Sequence, residues 1–291
     1  MLTSNLFKAA KCPECGADIQ VPSDRDQVKC MFCGKDIIVR QAIQASAGPN
    51  VQNWVRLAAA AEEADNHDEA YDYYTRVLEV EPENHEAWFG KAVAAGWGSN
   101  LSRSRYPELL AGIERAIQYA PDAKKEEMRK RGADIASDIT VAYYKLSVGH
   151  TSEYIALDDT WAEHIERCLP MLSVLEVANT LDPTNKQVVE NGIYLAKSLI
   201  EGVQYSDPYD TYDSGAPKTK TKHLPEKLEA QVQQTMDEFV AKMKAMDTAY
   251  EAPKIKKAGE MGIFGCLGAA IVLGLMGWGG WWVIKALFFN H

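Results

Sequence analysis

The spacing of apolar positions changes along the chain, and each change marks a boundary between elements. Ile19 and Val21, and again Ile37 and Val39, fall at every second position, the period of a half-buried strand. From about residue 51 to 202 the spacing becomes helical. Residues 203–224, VQYSDPYDTYDSGAPKTKTKHL, show no period and contain two prolines with several Asp, Ser and Thr, which predicts a flexible linker. After Pro225, the residues Val232, Met236, Phe239, Met243, Met246 and Tyr250 recur at spacings of 4, 3, 4, 3 and 4. That narrow seam predicts an amphipathic, coiled-coil-like helix over 225–251, which either pairs with a copy of itself or docks on the preceding helices. Finally, Met261 to Ile284 is a run of 24 residues without a charge. A helix over 262–282 would be about 31 Å long, the thickness of a bilayer's hydrocarbon core, so 261–284 reads as a single transmembrane helix.

The helical stretch carries an internal repeat. In VQNWVRLAAAAEEADNHDEAYDYYTRVLEVEPEN, residues 51–84, bulky Trp54, Leu57 and Tyr74 alternate with small Ala58 and Ala70, followed by Val77 and Pro82. Small residues at the crossing let two antiparallel helices pack face to face, and the proline ends the second helix. The seven positions are in register with the 34-residue pattern of a tetratricopeptide repeat, which this segment closely resembles. Trp88 stands 34 residues after Trp54 and restarts the pattern as EAWFGKAVAAGW. The next proline, Pro121, comes five residues late, which places extra residues in the turn 98–107. A third, elongated repeat runs from a helix near 124–147, across an interruption at 148–160, to VANTLDP at 177–183; residues 185–202 form a capping helix. The expected fold is mainly α: a TPR-like solenoid of about three hairpins plus a cap over 51–202, with a small N-terminal β domain and a C-terminal transmembrane helix.

The resemblance implies a groove for a protein or peptide partner, lined by Val55, Ala59 and Glu62 in the first repeat and Phe89, Val93 and Trp97 in the second. A family clamp for a C-terminal carboxylate would need Lys and Asn where Val55 and Ala59 stand, so that class of partner is disfavoured.

Charge narrows the choice further. The chain's net charge of −10 arises from residues 50–202, which carry 15 basic and 26 acidic side chains and sum to −11. Such a surface repels nucleic acid and favours a basic or apolar partner segment. Lys124, Lys125, Arg129, Lys130 and Arg131 are interleaved with Glu126 and Glu127 as on a solvated face, and Arg103 and Arg105 read as solvated loop residues. Met1 to Lys11 lacks a secretory h-region. Lys254, Lys256 and Lys257 precede the uncharged run and only Lys285 follows it, so the positive-inside rule places the N-terminus and the soluble domains in the cytoplasm. The linker and the helix after it would hold the repeats well off the membrane. Gly277, Gly279 and Gly280 leave open a broken or hairpin segment, and small-xxx-small pairs such as Gly265 and Ala269 would let two spans approach.

Candidate chemistry is confined to the N-terminus. Cys12-Pro-Glu-Cys15 and Cys30-Met-Phe-Cys33 are two CxxC knuckles separated by 14 residues. Each knuckle brings two thiolates to one cation, and two knuckles complete a tetrahedral four-cysteine shell with no open position, which is a structural Zn2+ site. A reducing cytoplasm argues against disulfides, and the absence of a βαβ pattern argues against a thioredoxin-like redox site. The segment 8–40 resembles a bacterial-type zinc ribbon. Its side chains sum to +1 before metal binding and to about −1 after it, which disfavours nucleic acid.

His164 and Cys168 share a helix face and read as packing, and no phosphate loop, nucleophile elbow or His-rich cluster points to an enzyme. The reading is a membrane-anchored adaptor that binds a protein through its repeats, with the ribbon as a second interaction module. The alternative is an oligomeric membrane-associated effector or channel-associated subunit, self-associating through 225–284.

Overall fold

In the computed structural model, residues 7–22, 24–46 and 51–259 are described. The N-terminal alternation produces two short hairpins. β1 (Phe7–Lys11) pairs antiparallel with β2 (Asp18–Pro22), and β3 (Gln27–Lys29) pairs with β4 (Asp36–Ile38). Ile19, Val21 and Ile37 point inward as their period requires. Val39, expected to extend the last strand, instead opens a helix, α1 (Val39–Ser46). That helix lies against β1, with Val39 and Ala42 joining Ala10, Ile19, Val21 and Ile37 in one small core. The connector after residue 40 is therefore partly structured.

Three helices follow: α2 (Val51–Glu63), α3 (His67–Val80) and α4 (His85–Trp97). α2 and α3 form an antiparallel hairpin whose turn is set by Asp65 in the left-handed region and by Asn66, which caps α3. Ala58 and Ala70 are fully buried, as their small size at the crossing predicts. Trp54, Val55, Tyr74 and Trp88 pack partly buried around Val77, Leu78 and Ala87. The chain divides into two compact units at Ala94 and Ala95, inside α4.

The second unit is built from α5 (Tyr106–Tyr119), a 3-10 turn at Asp122–Lys124, α6 (Lys125–Tyr154), α7 (Thr160–Leu181) and α8 (Lys186–Glu201). The loop before α5 is organised by Asn100, whose side-chain oxygen accepts from the N–H groups of Ser102 and Arg103. The interruption expected at 148–160 shrinks to a few residues, because α6 continues unbroken to Tyr154. Ser147 and Thr151 face the interior there. Interior packing outweighs their weak helix propensity. Pro170 likewise sits inside α7.

The linker expected at 203–224 is a correction of larger consequence. It is an antiparallel hairpin, β5 (Val203–Thr211) with β6 (Pro217–Lys222). Its alternation is of lysine with threonine, and of tyrosine and aspartate with small polar residues, so no apolar period announces it. A register shift between Asp207 and Thr211 takes up Pro208, which has no N–H to give the ladder. Lys220 joins the strands by ion pairs to Asp207 at 2.8 Å and Asp210 at 3.0 Å.

α9 (Glu226–Met246) stops short of Tyr250 and packs antiparallel on α8, burying Val232, Met236, Phe239 and Met243. Phe239 lies over Gly192, where an added Cβ would stand 2.6 Å from the ring. Of the two expected roles for the seam, docking on the neighbouring helix is the one adopted. The predicted membrane segment 261–284 lies outside the described residues, and among the described residues no helix is long and apolar enough to cross a membrane.

Candidate functional site

The four cysteines converge at the ends of the two N-terminal hairpins. Each knuckle is closed by the same pair of backbone bonds. Cys12 N–H donates to the Ala17 carbonyl and Gly16 N–H to the Cys12 carbonyl, both at 2.9 Å; Cys30 with Lys35 and Gly34 with Cys30 repeat this at 2.9 Å. Gly16 and Gly34 both take φ +73°, a conformation that side chains with a Cβ rarely adopt. The two knuckles are thus one structural unit used twice.

This duplication brings Cys12 Sγ within 3.8 Å of Cys33 Sγ and Cys15 Sγ within 3.8 Å of Cys30 Sγ. All four sulfurs lie within 4.8 Å of one another. Four thiolates at a Zn–S distance of ~2.3 Å in a tetrahedron stand ~3.8 Å apart, so the donor set fits that ion in both chemistry and spacing. Cys12 and Cys30 are buried while Cys15 and Cys33 are exposed. The N–H groups of Cys33 and Phe32 pull the Cys30 thiol down to about 6, while Cys15 in the same cluster is raised to about 12, so the metal-free sulfurs share protons that a bound cation would displace. Lys35 and Glu14, one from each knuckle, form an ion pair across the site. A tetrathiolate shell formed on these four sulfurs would be closed to substrate and would hold structure.

The six groove residues are placed unevenly. Val55 is partly buried against the Val77, Leu78 and Ala87 cluster. Ala59 is exposed. Glu62 is half-buried and accepts a hydrogen bond from the Tyr74 hydroxyl at 3.2 Å; burial raises its carboxyl above the usual range. Val93 is half-buried, and Trp97, in the second unit, is 37 % exposed. Phe89 is a correction: at 9 % exposure it is a packed side chain and presents little surface to a partner.

His164 and Cys168 are a buried pair between α6 and α7. His164 Nδ1 is 3.0 Å from Ser147 Oγ, Cys168 Sγ is 3.6 Å from Nε2, and the Trp161 ring stacks on the imidazole at 5.4 Å. Burial pushes the Cys168 thiol up to about 12 and the His164 imidazole down to about 4. Both groups are therefore neutral, the reverse of an activated thiolate and its base. A cleft of about 450 Å³ nearby is lined by Tyr143, His150, Glu163, Glu166 and Arg167 among others. The Arg167 guanidinium is already taken by the Glu163 carbonyl at 3.0 Å and carboxylate at 3.1 Å. Sequence reasoning did not find this cleft, because its lining comes from a loop and two long helices.

Residues 51–94 match the tetratricopeptide repeat family. That stretch covers the α2–α3 hairpin and most of α4, well under half of the chain, and identifies the repeat within it. No curated protein matches the chain significantly. Among solved structures, the chain is similar to the crystal structure of MamA protein at 12% identity and a TM-score of 0.18, over 71% of this chain and 100% of that one. A likeness at that score carries no structural argument.

Proposed function

We propose that this chain is a non-enzymatic adaptor held at a membrane. It engages a protein partner through its helical repeats, while one structural zinc ion in the N-terminal ribbon stabilises a second contact module. The observation that carries the reading is the tetratricopeptide match over 51–94, realised as a tight helix hairpin with Ala58 and Ala70 at its crossing. Repeats of this type serve protein recognition. Membrane attachment is supported by the uncharged run 261–284 and the lysines before it, which also favour a cytoplasmic orientation of the soluble part.

The test uses the detergent-extracted full chain as bait, beside variants Ala59→Arg and Trp97→Ala, chosen because both side chains are exposed. A bound protein set that is lost in a variant of unchanged melting temperature supports the repeat surface. Retention of the same set in both variants would remove it. Zinc content and native mass of the same preparation address the alternative reading. One zinc per monomer fits the adaptor, whereas a defined higher oligomer fits an effector or channel-associated subunit.

A further inference from the structure

The segment after α9 is a strap that returns along α8. From Asp247, which bonds Lys186 at the start of α8 (3.4 Å), it runs to Glu201 at the end of α8. There it is pinned three times. Ala258 N–H donates to the Glu201 carbonyl at 2.7 Å, Lys256 N–H donates to the Glu201 carboxylate at 2.8 Å, and the Lys257 ammonium pairs with Glu229 of α9 at 2.6 Å. Ala258 is buried, and Gly259 lies against the Thr221 methyl at the base of the β5–β6 hairpin.

The uncharged run begins at Met261, two residues after Gly259. Two residues reach at most ~7 Å. We propose that the lipid bilayer rests directly against this end of the second unit, formed by the C-terminus of α8, the N-terminus of α9 and the β5–β6 hairpin. The inference rests on the membrane-anchor reading and adds to it an orientation and a contact surface. A paired hairpin and a pinned strap stand where a flexible linker would have held the repeats off the membrane.

The chemistry of the hairpin suits the lipid headgroup region. Tyr209 is 78 % exposed and Tyr212 is 56 % exposed, and amphipathic rings favour that level of a bilayer. Lys218 and Lys220 are paired with Asp210 and Asp207, so toward the turn of the hairpin the cations are neutralised and the exposed surface is aromatic. Contact should therefore not require anionic lipid. The opposite end of the unit, where Lys186 meets Asp247, stands away from the bilayer. Along α9, Lys244 is ~22 Å beyond Glu229.

The full chain is reconstituted in vesicles of zwitterionic lipid containing a headgroup-attached quencher, with a genetically encoded fluorescent amino acid replacing Thr219 in the hairpin or Lys244 at the far end. Both positions are exposed. The label at Thr219 is expected to be quenched at least twofold more than that at Lys244. Inserting a Gly/Ser linker of about 20 residues after Gly259 should abolish that difference while the protein still floats with the vesicles. Equal quenching in the uninterrupted chain, or stronger quenching at Lys244, overturns the proposal. Failure to float with vesicles overturns the anchor reading, and this proposal with it, and is recognised by flotation alone.

Discussion

The ribbon and the second helical unit solve the problem of staying folded in opposite ways. The ribbon's core is Ala10, Ile19, Val21, Ile37, Val39 and Ala42 with two cysteines, and none of these side chains is large. Its two sheets have two strands each, too few to be stable alone in water. The second unit instead buries Leu109, Ile113, Met128, Ile139, Met171, Leu175, Ile193, Leu199 and Phe239 among long helices. The second is closed by apolar packing, whereas the first has four cysteines placed so that a metal ion would close it. A perturbation aimed at one should leave the other standing.

The largest expected effect is therefore metal removal. Zinc binding to small structural sites amounts to ~10–16 kcal/mol, far more than a core of this size supplies, so a chelator or Cys30→Ser should unfold the ribbon outright. Amide exchange at Val21 and Ile37 would rise to the unprotected rate while protection in α6 to α8 persists. Retained protection at those two amides in metal-free protein would show that the packing suffices.

The converse perturbation is Phe239→Ala. This ring is 1 % exposed and seals α9 onto α8 across Gly192. Its loss should lower the stability of the second unit by ~3–5 kcal/mol in chemical denaturation, with zinc content unchanged. A change below about 1 kcal/mol would mean that α9 contributes little to the unit.

How much of this was legible in the sequence follows the same division. Both cysteine knuckles are local signals, since four residues fix each turn and the spacing alone names the chemistry. The first repeat is legible because bulky and small residues alternate at fixed offsets over 34 positions. The 203–222 hairpin is not, because both faces of its strands are polar and its stability comes from Lys220 between two aspartates and from contacts elsewhere in the unit, such as Lys222 donating to the Leu157 carbonyl at 3.0 Å. Nor is the continuity of α6, where Ser147 is held by His164 from the next helix. Both cases depend on partners distant in sequence, which a period cannot encode.

Acid should distinguish the regions a third way. Burial holds the His164 imidazole at about 4 in the folded state against about 6.5 in the unfolded chain. Between those values the unfolded state binds the extra proton, so stability of the second unit falls as pH is lowered from about 6.5 towards 4, by up to ~3 kcal/mol. The measurement is melting of the second unit against pH for the native chain and for His164→Gln. The variant should show the shallower slope over that window, and parallel curves would exclude the imidazole as the source. The ribbon also weakens in acid, but through protonation of its thiolates and release of metal, which excess zinc opposes.

The smallest contrast lies in a residue that both helical regions use for the same task. Asn185 caps α8 by accepting from the N–H groups of Gln187 at 3.1 Å and Val188 at 3.3 Å, and its amide donates to Asp134 of α6 at 2.7 Å. Asn66 caps α3 through one bond, from Glu69 N–H at 3.4 Å, and its amide returns to the same residue's carboxylate. The first cap joins two helices and the second only begins one. Asn185→Ala should therefore cost about 1–2 kcal/mol and Asn66→Ala nearer ~0.5 kcal/mol, each read from the melting of its own unit. Equal losses would indicate that the Asp134 bond adds nothing beyond the cap itself.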